Sequence, residues 1–142
     1  MSIINFSNTR QMEGLFDAIN PIKELIESKI NLSRTADREK RINLNQNKVM
    51  RICFIVGLSL PTNRSMDDYK DIQLSVSSIR ITPSFFTMHD LSTLYSALLK
   101  LRYADLNIDW TQNATLSRII AAEMLRGRDY LMADNNLDSF LY

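Results

Sequence analysis

The chain holds one cysteine, one histidine, three glycines and three prolines in 142 residues. Each shortage removes a class of function. Cys53 has no partner for an internal disulfide and lies in the apolar run from Ile52 to Val56, so it is expected as a small buried residue in a reducing compartment. With His89 the sole histidine, a zinc site within one chain would have to lean on carboxylates, and no metal or other cofactor is expected. None of Gly14, Gly57 and Gly127 is followed by a Lys-Ser or Lys-Thr pair, which excludes a phosphate-cradling loop of that kind. His89 lies next to the Thr87/Asp90 outline of a helix cap, where local hydrogen bonding accounts for it better than a catalytic triad does. Asp67 and Asp68 sit in a polar stretch without the apolar surroundings that would raise a pKa for acid-base work. These absences favour a binding protein over an enzyme. The longest strongly apolar run, Ile52 to Leu60, is far short of the roughly 20 residues that span a bilayer, and the start MSIINFSNTR lacks a basic head followed by a long apolar stretch. A cytoplasmic protein without a membrane segment is expected.

What is present is ordinary globular material. Hydrophobic residues make up 45% and charged residues 23%, enough for one domain to bury a core without a metal or disulfide. The formal net charge of +1 conceals a segregated pattern. Residues 29–51 carry seven cations (Lys29, Arg34, Arg38, Lys40, Arg41, Lys48, Arg51) against Asp37 and Glu39, a net +5, whereas residues 1–28, 52–101 and 102–142 sum to −2, 0 and −2. One short stretch therefore carries the entire basic excess, which suits an anionic partner on one face of a neutral body. A solvated face or a subunit contact is the competing explanation.

Periodicity divides the chain into elements. Residues 9–29 read as helix interrupted at Pro21, with Asn20 pushed out of the α region. Lys29, Ile30, Asn31, Leu32 and Ser33 alternate as on a half-exposed strand, residues 34–42 look like a short charged helix, and Asn45 caps a helix over 46–59 that Pro61 ends. That helix is apolar almost all round, so it is expected at the centre of the fold, enclosed by the chain or by a second copy. After a polar loop over 61–70, Ile72, Leu74 and Val76, then Ile79 and Ile81 beyond Ser77 and Ser78, fit a small hairpin. Leu91, Leu94, Tyr95, Leu98 and Leu99 give a helical stripe that leaves Lys100 and Arg102 toward water. A last helix from Asp109 or Asn113 to about Met132, interrupted at Gly127, buries Leu116, Ile119, Ile120 and Met124, and the glycine marks a close helix-helix approach. The fold class is mainly α with a small β element (α+β), a single helical domain over 1–142.

A strand, a short helix, a polar turn and a second helix between residues 29 and 60 make a ribbon-helix-helix-like segment. Lys29, Asn31 and Ser33 would face outward, and the N-terminus of the second helix, with Lys48 and then Arg51 one turn on, could hold a phosphate. Such contacts position DNA without reading its sequence. Arg51 could instead pair with Asp37 or Glu39. No aromatic residue is interleaved with the basic cluster, which counts against a stacking platform for single strands there.

At four places in the same order the chain resembles the DndE-type proteins of bacterial DNA sulfur modification (phosphorothioation). These are Asn31 to Asp37 (NLSRTAD), Asn47 to Ile52 with Leu58 to Leu60 (NKVMRI…LSL), Tyr95 to Arg102 (YSALLKLR) and Leu125 to Leu131 (LRGRDYL). The resemblance implies a family core over 29–133 preceded by an N-terminal helical extension over 1–28. It also implies a non-catalytic accessory subunit that binds duplex DNA, nicked duplex included, and forms homo-oligomers. The sulfur chemistry would belong to partners, among them an ATPase and a sulfur transferase. A protein-interaction subunit without direct DNA binding and a ribbon-helix-helix transcriptional regulator are the alternatives.

Overall fold

The computed structural model describes residues 3–31, 44–60, 76–81, 85, 91–104, 106–133 and 136–141. In chain order these include β1 (Arg10–Met12), α1 (Leu15–Asn31), α2 (Gln46–Ser59), β2 (Val76–Arg80), α3 (Ser92–Arg102), α4 (Asn113–Met132) and α5 (Asn136–Leu141). The class is mainly α with a small β element.

Residues 10–12 are strand and not the opening of a helix. Gly14, at φ +80°, makes the left-handed turn that separates β1 from α1. Beyond it, α1 runs unbroken through Asn20 and Pro21 to Asn31, against the expected interruption. Pro21 removes one backbone donor, which would have bonded the carbonyl of Asp17, and Asp17 is exposed to water. Leu15 and Ile19 before the proline and Ile22 and Ile26 after it are all buried on one face, so continuity of that stripe outweighs the local defect. The same continuity overturns the expected strand over 29–33 at its first three residues. Lys29, Ile30 and Asn31 form the last turn of α1, while Ser33 and the charged helix expected over 34–42 lie outside the described residues.

The hairpin expected around Ser77 and Ser78 is also replaced. Both serines lie within β2, which pairs antiparallel with β1, Arg10 opposite Arg80 and Met12 opposite Val76, with a bulge between. Period-two alternation marks a strand but not its partner. Here the partner comes from some seventy residues earlier, and the Arg10 amide on its other side donates to Ser117 Oγ of α4 at 2.9 Å.

The α2 and α4 helices form the centre. Asn45 caps α2 as expected, its side-chain oxygen accepting from the Asn47 amide at 2.8 Å. Leu116, Ile119, Ile120 and Met124 of α4 are fully buried, as are Val49, Cys53 and Phe54 of α2. The two helices cross antiparallel, and two glycines set how closely. A Cβ on Gly57 would overlap the Glu123 carbonyl oxygen, and one on Gly127 would overlap the Cys53 carbonyl oxygen. Gly127 is thus the expected point of close approach, though α4 continues through it. Ile4, Phe6 and Met12 join the same core as Leu137 of α5. Cys53 is fully buried, and loss of hydration pushes its thiol up to about 12.

On α3, Tyr95 and Leu99 are buried while Leu94 and Leu101 are 51% and 76% exposed. The largest departure there is Arg102, expected toward water. Its side chain is 8% exposed and donates to the carbonyls of Leu58 and Leu60 at the end of α2. Those carbonyls have no partner within the helix, and the guanidinium supplies one.

Candidate nucleic-acid interface

The described part of the interface expected from sequence lies on α1 and the start of α2, and two contacts hold the start of α2 on α1, one near the end of α1 and one near its beginning. The Leu44 amide donates to Glu27 Oε1 at 2.7 Å, Glu27 is also bonded to Lys23 at 3.0 Å, and Gln46 Nε2 donates to the Phe16 carbonyl at 3.1 Å. Burial alone would push Glu27 up, but the bonds from Lys23 and the Leu44 amide outweigh it and hold the carboxyl below its usual range. Arg34, Arg38, Lys40 and Arg41 fall between Asn31 and Leu44 in the sequence. Their own placement, and that of Ser33, lies outside the described residues.

Four of the nine expected contact residues are described, and they divide into two kinds. Lys48 is exposed in the first turn of α2, which contains no acidic residue. The helix dipole favours an anion at that end, while the Asn47, Lys48 and Val49 amides are already bonded to Asn45. Arg51, three residues on, is half-buried, with its guanidinium carbon 5.4 Å from the centre of the Phe85 ring. Lys48 and Arg51 therefore do not share one solvent-facing role. Lys29 is bonded to Asp138 of α5 at 2.6 Å, and Asn31 is half-buried as the last residue of α1.

Sequence reasoning missed a second charged cluster. Glu123, 1% exposed, accepts from Tyr103 Oη at 2.8 Å and lies 3.5 Å from Arg102 and 3.7 Å from Arg126, which is itself 3% exposed. Burial raises the Glu123 carboxyl, and Arg102, Tyr103 and Arg126 pull against it. Burial also drives the Tyr103 hydroxyl far above its ordinary range, reinforced by the charge of Glu123. The available signal was an acid within the apolar stretch Ile119 to Leu125. This cluster ties α3 and α4 to the end of α2, a structural task.

Among the described residues there is no group of three or more His, Cys, Asp or Glu side chains placed to hold a metal, and no helix is long and apolar enough to cross a membrane. No protein-family model, curated protein or solved structure matches the chain.

Proposed function

We propose that this chain is a non-catalytic, DNA-binding accessory subunit of a bacterial DNA phosphorothioation complex, contacting the backbone of duplex DNA, nicks included. The observation that carries the reading is the joint anchoring of α1 and α2 through Glu27 and Leu44. It holds Leu44 against α1 one turn before Asn31, and Lys48 is exposed in the acid-free first turn of α2, which supports the reading. The ordered resemblance to the DndE-type proteins supplies the biological setting. Contacts of this kind bind phosphate and release counterions, so affinity falls steeply with salt and varies little with sequence.

The test is fluorescence anisotropy on intact and nicked duplexes across a salt series. Replacing Arg38, Lys40 and Arg41 together with Ala should lower the salt slope by roughly 2 to 3, near 0.9 per lost phosphate contact. An unchanged slope would remove this segment from the interface. Co-purification from the native host, with the ATPase and sulfur-transferase subunits sought among the neighbours, tests the setting.

A second reading, a protein-interaction subunit, is favoured by α3. Leu94, Ala97, Leu98 and Leu101 recur there at i, i+3, i+4 and i+7, and all except the half-buried Leu98 are exposed. The stripe suits a partner subunit or a second copy. No duplex binding at low salt together with a stable complex through α3 would favour it.

A further inference from the structure

The N-terminal end of α4 borders a cleft of about 510 Å³ between residues 3–8 and residues 108–113. That volume falls within the range of about 300–1,000 Å³ typical of small-molecule sites. Both walls are held in place by bonds that a ligand need not make. On one side the Ile4 amide donates to Ser96 Oγ at 2.9 Å, and Ile4 and Phe6 are buried. On the other, the Leu106 amide donates to the Tyr103 carbonyl at 3.1 Å and the Gln112 amide to the Asp109 carbonyl at 3.1 Å. The Trp110 ring packs edge-to-face on Tyr103 at 6.2 Å, and Tyr103 is in turn held by Glu123. The cleft is therefore formed before anything enters it, which lowers the ordering cost of binding.

Its lining combines one indole, three carboxamides and one charge of each sign: Trp110, Asn5, Asn8, Asn113, Lys100 and Asp109. Asn5 Oδ1 already accepts from the amide and hydroxyl of Ser7 at 3.0 and 2.6 Å, so its NH₂ group is the part left to recognise a ligand. Asp109 Oδ1 accepts from the Thr111 hydroxyl at 2.5 Å and its amide at 3.0 Å, which fixes the carboxylate and holds it ionised, below its usual range. An aromatic wall offers stacking to a flat ring, and carboxamides match the mixed donor and acceptor edge of a base. A fixed carboxylate accepts from ribose hydroxyls, as in dinucleotide sites.

We propose that this cleft binds a free ribonucleoside or its 5′-phosphate, with the base against Trp110 and the carboxamides, the ribose hydroxyls on Asp109 and a 5′-phosphate toward Lys100. The site is independent of the DNA reading. From Lys48 to Gly57 on α2, and from the facing Glu123 to Asn113 on α4, the helical rise adds up to roughly 28 Å, so the two sites lie at opposite ends of the helix pair.

Trp110 is the sole tryptophan, so its fluorescence reports on the cleft directly in the intact protein. Titration with adenosine, uridine and adenosine 5′-monophosphate should quench it saturably, with dissociation constants on the order of 1 mM or tighter. Asp109→Asn should weaken adenosine binding by about tenfold and abolish discrimination against 2′-deoxyadenosine, the loss of one charge-assisted hydrogen bond. Lys100→Met should weaken the monophosphate but leave adenosine unchanged. Circular dichroism of both variants verifies that they fold, and heteronuclear NMR shifts at residues 3–8 provide a readout that does not depend on the indole. The proposal is overturned by any of three results: no saturable change in either signal, equal response to a neutral saccharide, or wild-type binding by both folded variants.

Discussion

Gly127 of α4 lies directly against the backbone carbonyl of Cys53 on α2, with no room for a side chain between them. Four residues back along α4, Glu123 meets Gly57 in the same way. The obstacle in both cases is main chain, which cannot rotate away. Gly127→Ala should therefore destabilise the protein by more than about 3 kcal/mol, beyond the usual range for overpacked side chains. Gly14→Ala meets no atom within 4 Å and is opposed only by its left-handed φ, so it should lose about 1 kcal/mol. Urea unfolding of the pair checks the order, and equal losses would contradict it.

Removing Glu123 takes away the carboxylate that the buried Arg102 and Arg126 share. Glu123→Ala should lower stability by about 3–5 kcal/mol, the range for breaking a buried pair from one side. Glu123→Leu combined with Arg126→Met should recover part of that loss, because it removes one of the two arginines that share the carboxylate. Thermal and urea denaturation provide the cycle. Additive losses would show that the two side chains act separately.

The Glu27 carboxyl titrates below its unfolded value of 4.5. A group depressed in the folded state contributes stability that is fully present above the unfolded pKa and disappears as pH falls through the folded one. Wild type should accordingly lose slightly more stability than Glu27→Gln as pH falls below about 4.5, a small difference because the pair with Lys23 is partly solvated. Parallel pH-stability curves for the two proteins check the sign.

Lys48 and Arg51 should separate when tested singly. Lys48→Ala should lower the salt slope of duplex binding by about 0.9 and leave the melting temperature unchanged. Arg51→Ala should do the reverse, losing about 1 kcal/mol of stability through its contact with Phe85 and little of the slope. If Arg51→Ala instead lowers the slope at unchanged stability, its guanidinium reaches phosphate and not the ring.

Features encoded by neighbours in sequence were legible. Asn45 and the apolar run behind it specified the start of α2, and the spacing of Leu116, Ile119, Ile120 and Met124 specified the buried face of α4. Gly127 announced a close approach because a glycine inside a helix needs a reason. Features decided by distant partners were not legible. Residues 10–12 resemble helix until β2 pairs with them, and Pro21 resembles a stop until the buried stripe on both sides is known. Arg102, in the last turn of a helix, reads as solvated until the open carbonyls of Leu58 and Leu60 appear beside it. The candidate interface divides the same way. Exposure of Lys48 follows from its place in a first turn, whereas the pairing of Lys29 with Asp138 joins residues 109 apart in sequence.

That last pairing has a consequence for the chain's far end. The α5 helix contributes a single carboxylate to the end of α1, and it lands on the first cation of the basic stretch. The C-terminal helix thus acts as a built-in counterion, occupying by covalent attachment a position that a dissolved anion would otherwise fill. Because it is part of the chain, it is not diluted away when salt is lowered, so at neutral pH it trims the charge of Lys29 even where few dissolved anions are present.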